Sequence, residues 1–232
     1  MGTLSSRVQG MAGATFAGLF RAIKVARPHR PIHPTGIHLV GTLKRDPGQR
    51  RPSGIRWLDD SGTNSVNARL SRSIGLPNAL PDIIGLAIRF TEQGKQADML
   101  LATTGPTGIG RFILRLRRNA ASAVFSSMMP YKSDSGPVLI AARTIEGPGK
   151  LPAEPRAFRA ALGRGPWTLE LHHASPLGPW CRFGTLTLTV ADHGQDSDQR
   201  FDPVLNPLPG AGTYDWTRRL REPSYALARQ QG

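Results

Sequence analysis

DIIGLAIRFTEQGKQAD, residues 82–98, is the stretch of the chain that says most about its fold. Apolar side chains dominate residues 83–90 and return over 99–103, and turn-forming residues lie between the two runs at 92–96. Two short apolar runs joined by a polar turn that contains glycine are typical of a β-hairpin. The segment therefore predicts two neighbouring antiparallel strands.

Further short apolar runs, separated by turns, lie on both sides of this hairpin. The chain has 232 residues, of which 26 are glycine and 20 are proline, a composition that favours many short strands over long helices. Thr185, Thr187 and Thr189 alternate with apolar residues, so they would share one face of a strand. Besides the hairpin strands, the predicted strands are 37–43, 54–58, 65–70, 138–145, 167–174 and 183–190.

A few helices accompany the strands. Apolar residues recur at helical spacing in the first of them, and helix-forming residues fill the others. The predicted helices are 4–27, 111–125, 154–162 and 214–229. Many strands with helices on the outside predict an α+β chain built on a closed antiparallel barrel. We expect an N-terminal helix within residues 1–27 and a single barrel domain over 28–232.

The chain is strongly basic, with 30 lysines and arginines against 16 acidic residues and a formal net charge of +14. Such a charge attracts anionic partners and does not specify a fold. Aromatic residues make up only 6% of the chain and are not interleaved with basic runs, which argues against specific nucleic-acid binding through stacked bases. The amphipathic segment 4–27 could instead lie on an anionic membrane surface.

Cysteine and histidine are too sparse to form a metal centre by pattern alone. The single cysteine, Cys181, excludes a disulfide within the chain and suits a reducing compartment, so we expect the cytoplasm. The six histidines form no metal-binding motif. His172 and His173 are adjacent in a predicted strand, so they would point to opposite faces.

Four segments of the chain, taken together, resemble the haem catalases. In that family an Arg and the distal His lead into the first barrel strand, an Arg-Phe-Ser element follows, and Arg-x-x-x-Tyr lies near the end. The third segment is similar to the family's Asp-x-x-Gly-Phe-Ala-x-Lys-Phe strand through Asp82, Gly85, Ala87 and Phe90. The four segments are 30–36 (RPIHPTG), 68–73 (ARLSRS), 82–98 and 221–225 (REPSY).

The resemblance implies a catalase-type barrel that lacks the helical C-terminal domain of large catalases and holds one b-type haem. Tyr225 would be the iron ligand. Arg221, one helical turn earlier, would favour the ionised form of that phenol by its charge. Arg30 and Arg69 would pair with the haem propionates, with Arg229 as a third candidate.

On the open face of the haem, the resemblance implies His33 as general base and then general acid toward a peroxide. Ser71 would orient the His33 ring. Catalases carry an Asn where this chain has Ala102, and the hydroxyl of the neighbouring Thr103 would partly replace it. We therefore expect a haem-dependent peroxidase or hydroperoxidase acting on hydrogen peroxide or an organic hydroperoxide, such as that of a fatty acid, with weak catalase activity.

Two other functions are compatible with the sequence. His33-Pro34-Thr35 and His173-Ala174-Ser175 are His-x-Thr/Ser elements of the kind that two-histidine phosphodiesterases use for acid–base cleavage. Alternatively, the chain is a non-catalytic basic module that binds haem or lipid. In each case we expect a homo-oligomer, in the simplest form a dimer.

Overall fold

The computed structural model describes residues 35–48, 51–191 and 200–219. Most of the regular structure in these residues is β-sheet. Helix α1 spans Arg56–Asp59 and helix α2 spans Pro155–Leu162, a 3₁₀ helix spans Gly108–Phe112, and residues 215–219 are also helical. The strands are β1 (Thr35–Arg45), β2 (Gly62–Arg72), β3 (Ile84–Glu92), β4 (Lys95–Thr104), β5 (Val124–Ser126), β6 (Tyr131–Ser133), β7 (Gly136–Glu146), β8 (Trp167–Ala174), β9 (Cys181–Val190) and β10 (Gly212–Thr213).

Eight of the ten strands in the described residues form a closed barrel. Neighbouring strands follow the order β7-β5-β4-β3-β2-β1-β9-β8, and β8 pairs back with β7 to complete the ring. Every pairing in it is antiparallel. The short strands β6 and β10 extend the sheet from β7. The predicted α+β chain with a closed antiparallel barrel is thereby confirmed.

Aromatic side chains fill the interior of the barrel. Trp167 on β8 is completely buried and meets Phe125 of β5 and Phe158 of α2 edge-on, with ring centroids 5.9 and 5.7 Å away. Phe90 of β3 stacks on Trp57 of α1, with ring centroids 4.6 Å apart. Aromatic pairs in these geometries add to the stabilisation that comes from burying their area. The interior is thus a packed core.

Alternation along the strands separates that core from the outer face. On β9, Leu186 and Leu188 are buried, and Thr187 between them is only partly covered. The predicted threonine face of this strand is confirmed. On β1, a Cβ at Gly41 would collide with the carbonyl oxygen of Thr187, so only glycine allows β1 and β9 to pair at this point.

Two of the predicted elements are wrong. Residues 54–58 are not a strand: the Asp59 carboxylate accepts hydrogen bonds from the backbone N–H groups of Ser53 (2.7 Å) and Gly54 (3.0 Å), and α1 forms there. Residues 111–125 are not a helix, because their main chain bonds to other strands. Arg115 N donates to Thr103 O, and Leu114 bridges Thr104. Tertiary pairing of this kind overrides a weak helix propensity.

The remaining predictions fall into two groups. Predicted helix 154–162 is confirmed as α2, whose first turn is capped by the Glu154 side chain, which accepts from Arg156 N and Ala157 N. The other predicted strands lie within a few residues of β1, β2, β3, β4, β7, β8 and β9. Helix 4–27 and most of helix 214–229 lie outside the described residues. Across the parts of the chain that are described, no helix is long and apolar enough to cross a membrane.

Candidate functional site

Only part of the predicted site falls in the described residues. The predicted residues that lie outside them are Arg30, His33, Arg221, Tyr225 and Arg229. The part of the site that can be described consists of Arg69, Ser71, Ala102 and Thr103 on β2 and β4.

A row of small residues crosses the outer face of four neighbouring strands. Gly36 of β1 pairs with Ser71 of β2, Ser71 pairs with Gly85 of β3, and Gly85 pairs with Ala102 of β4. Directly paired residues point to the same face of a sheet. We call these four residues the small-residue row. Ser71, at 7% exposure, supplies its only side-chain hydroxyl.

The adjacent row on the same face contains a charged side chain, that of Arg69. His38 of β1 pairs with Arg69 of β2, Arg69 pairs with Ala87 of β3, and Ala87 pairs with Leu100 of β4. The Arg69 guanidinium leans toward the small-residue row, because a Cβ built on Gly36 would come within 2.6 Å of Arg69 Cζ. Glycine at position 36 therefore leaves the space that the cation occupies. Arg69 and Ser71, two residues apart on β2, lie on the same face of the sheet.

His38 adds an imidazole to this face. The Nε2 atom of the His38 ring is buried and has no hydrogen-bond partner in the described residues. The main-chain carbonyl of His38 accepts a separate hydrogen bond from Ala191 N at 3.3 Å. Buried polar atoms are nearly always hydrogen-bonded, so an orphaned ring nitrogen needs an explanation. A polar group bound over the face would supply the missing partner. No sequence motif distinguishes His38, and only the register of β1 with β2 places it beside Arg69.

Thr103 is not part of this arrangement. It lies one residue from Ala102 and therefore on the opposite, inward face of β4, where it is completely buried. Its hydroxyl donates to Arg115 O at 2.6 Å and accepts from Ile84 N at 3.1 Å. The structure does not bring Thr103 together with Ser71, and Ala102 is the β4 residue in the small-residue row.

Asp82, which helped to carry the sequence resemblance, organises a loop. It is completely buried, and its carboxylate accepts from the N–H groups of Ile74 (2.9 Å), Gly75 (2.8 Å) and Leu76 (3.1 Å). Arg72 donates to the same carboxylate at 3.3 Å. This aspartate fixes the connection between β2 and β3 and is a structural residue.

Asp98 ties the C-terminal part of the described chain to the same outer face. Arg89, its direct partner across β3 and β4, binds both carboxylate oxygens at 2.6 Å. Asp202 N and Asn206 Nδ2 also donate to the carboxylate, at 2.7 and 2.9 Å. Segment 200–206 is thus held against the face beside the Arg69 row. After this anchor the chain continues to β10, which pairs with β6.

A second group of titratable side chains lies on β8 and β9. His172, Glu170 and Arg182 line a cleft of about 390 Å³. His172 Nε2 is 3.1 Å from Glu170 Oε2, and Arg182 Nε is 3.4 Å from Glu170 Oε1. Burial lowers the pKa of His172, and the Glu170 charge opposes that shift. The neighbouring His173 is buried against Phe183, so the two histidines point to opposite faces, as predicted.

The comparisons with known proteins identify the architecture. A fungal catalase with a 1.9 Å crystal structure matches with a TM-score of 0.58 and 14% sequence identity, over 86% of this chain and 58% of that chain. Catalase A from Saccharomyces cerevisiae matches with the same TM-score and identity, over 86% of this chain and 60% of that chain. The barrel is of the catalase type. The chain spans about three-fifths of the length of these catalases. No protein-family model and no curated protein matches it by sequence.

Proposed function

We propose that the chain is a haem-dependent peroxidase that uses hydrogen peroxide or an organic hydroperoxide and has only weak catalase activity. The observation that carries the proposal is the outer face of β1–β4 on a catalase-type barrel. There the small-residue row lies beside the Arg69 guanidinium and the orphaned His38 nitrogen. No comparable observation favours a phosphodiesterase, since His173 is buried against Phe183.

The described residues fit a haem. Four strands at a spacing of about 4.8 Å make the small-residue row roughly 14 Å long, a width that a flat tetrapyrrole ring would cover. No large side chain in this row would hold such a ring away from the sheet. Arg69 supplies the planar cation that matches a propionate carboxylate. When bound, haem would supply a ferric iron at which the O–O bond of a peroxide is cleaved.

In this proposal Tyr225 would hold the iron of the haem, and Arg221 would favour its phenolate form. Free tyrosine ionises only near pH ~10, so a phenolate ligand needs a cation beside it. The Arg221-x-x-x-Tyr225 spacing, which resembles that of the haem catalases, supports this assignment. Arg30 and Arg229 are the further proposed partners of the propionates.

The proton transfers in this proposal belong to His33. Its imidazole would accept a proton from the peroxide and would return it to the oxygen that leaves when the O–O bond breaks. Ser71 orients the ring through its hydroxyl. Ala102 offers only a methyl group at the point where a hydrogen bond would hold a small peroxide. Hydrogen peroxide would therefore be positioned less well than a larger organic substrate, which makes further contacts of its own. This difference is the reason for proposing peroxidase over catalase turnover.

A measurement of haem binding tests this proposal. We expect protein produced with added haem precursor to hold one haem per chain with a high-spin ferric spectrum, which Tyr225→Phe should lose or shift. Arg69→Leu should weaken haem binding roughly tenfold or more, because a hydrogen bond to a charged group contributes about 1.5–3 kcal/mol. Arg143→Leu, which removes an exposed arginine paired with Glu170 at 3.3 Å, is the matched control. Failure of the wild-type chain to bind haem would overturn the proposal.

A further inference from the structure

The segment that follows β4 exposes three large apolar side chains. Ile109 is 74% exposed, Leu116 is 51% exposed, and Ile113 between them is 42% exposed. The segment contains the 3₁₀ helix Gly108–Phe112 and then runs in extended conformation along β4. Exposed apolar residues are unremarkable when they are scattered singly, but a cluster of them marks an interaction surface.

Two neighbouring loops add to this cluster. Arg117 and Asp82 exchange main-chain hydrogen bonds of 2.7 and 3.0 Å, which holds the loop carrying exposed Leu80 beside the segment. Arg111 donates to Ser175 O and Pro176 O at 3.3 and 3.4 Å, which holds the loop that carries Leu177, 70% exposed. Five of the seven large apolar side chains that are exposed in the described residues therefore lie on three segments tied together.

Positive charge accompanies these apolar side chains. Arg115 and Arg118 are exposed on the same segment, and no acidic residue occurs between Asp98 and Asp134. We call the whole surface the apolar–basic patch. It consists of Leu80, Ile109, Ile113, Leu116 and Leu177 with Arg115 and Arg118.

We propose that the apolar–basic patch docks the protein on an anionic phospholipid membrane. Protruding aliphatic side chains enter the boundary between headgroups and acyl chains, and arginines beside them bind the lipid phosphates. A second copy of the chain fits less well, because two such patches would bring like charges together. Nucleic acid also fits less well, because the five apolar side chains are aliphatic and cannot stack on bases.

The test is co-sedimentation of the full chain with phospholipid vesicles. We expect binding to phosphatidylcholine vesicles that contain phosphatidylglycerol, weaker binding at high salt, and little binding to phosphatidylcholine alone. Arg115→Ser with Arg118→Ser should weaken binding roughly 25-fold, or about fivefold for each arginine near an anionic surface. Ile109→Ser with Leu116→Ser should weaken it at least tenfold through lost apolar burial.

Matched controls come from exposed residues outside the patch. Ile145→Ser with Leu205→Ser removes two aliphatic side chains that are 50% and 59% exposed, and Arg156→Ser with Arg159→Ser removes two exposed arginines of α2. Both controls should bind vesicles as the wild type does. Circular dichroism and thermal unfolding check that each variant is folded.

Three results would overturn the proposal. The first is a folded wild-type chain that does not bind anionic vesicles. The second is undiminished binding by the folded patch variants, which would assign the membrane contact to another surface such as residues 4–27. The third is a dimer that patch substitutions disrupt without affecting vesicle binding, which would make the patch an interface between copies. None of these results depends on haem.

Discussion

Ala102 is the residue at which a single added hydrogen bond would most change the proposed chemistry. It lies in the small-residue row beside Gly85, and its methyl group neither donates nor accepts. We expect Ala102→Asn to raise the rate of oxygen release from hydrogen peroxide about tenfold or more relative to peroxidase activity. The reason is that positioning a reactant is commonly worth ~10²-fold or more. The two rates are measured as oxygen evolution and as oxidation of a small organic donor.

Leu100→Asn is the matched control for this prediction. Leu100 lies on the same strand and the same face but in the Arg69 row, so the same amide placed there should leave the ratio of the two activities unchanged. His33→Ala should remove most of both activities while haem stays bound. An unchanged ratio in Ala102→Asn, or full activity in His33→Ala, would contradict this account of the face. In the latter case His38 is the next base to replace.

At the scale of elements, the contact that matters most is the Asp98 anchor between the β3–β4 hairpin and segment 200–206. Asp98 has no exposed surface and Arg89 is only 15% exposed, so the pair is removed from water. We expect Asp98→Asn to lower the free energy of unfolding by about 3 kcal/mol, because it leaves a mostly buried guanidinium without its counter-charge. Urea unfolding measures this change.

The same substitution should also weaken haem binding, because segment 200–206 loses its attachment beside the Arg69 row. Asp215→Asn is the control: its ion pair with Arg218, 2.8 Å long, is exposed on both sides and should contribute little. If Asp98→Asn were as stable as the control, the carboxylate could not be the anchor. A stability loss with unchanged haem affinity would show that the anchor and the haem site are independent.

For the whole molecule, the histidines of β8 predict sensitivity to acid. Burial lowers the pKa of both His172 and His173. The charge of Glu170 opposes this shift at His172, and the charge of Asp59 opposes it at His173. A histidine with a lowered pKa in the folded state binds its proton more readily when unfolded. Its contribution to stability is therefore complete above the unfolded value of 6.5 and is lost as the pH falls through the lowered folded value.

We expect the free energy of unfolding to fall below pH 6.5 by up to about 1.4 kcal/mol per pH unit for each of the two histidines. The measurement is urea unfolding across this pH range. His173→Leu with His172→Gln should flatten the slope between pH 6.5 and the region where carboxylates begin to titrate. An equal slope in the double variant would mean that other groups account for the acid sensitivity.

The sequence by itself determined the barrel and most of its strands. Alternation of apolar and polar residues has a period of two in a strand, so segments such as 167–174 and 183–190 could be identified without knowing their partners. The local resemblance over 82–98 also predicted the β3–β4 hairpin correctly. These features depend on residues that are close together along the chain, and a single sequence shows such local patterns directly.

The tertiary structure decided what the individual residues do. Thr103 and Ala102 are adjacent in sequence, but strand geometry sends one into the core and leaves the other in the small-residue row. Residues 111–125 have helix-forming composition, yet their main chain bonds to β4 and to Asp82, so no helix forms. Asp98 and Asp202 are far apart in sequence and meet only because the barrel has closed. Such contacts arise from the register between strands, and a single chain of letters carries no direct record of that register.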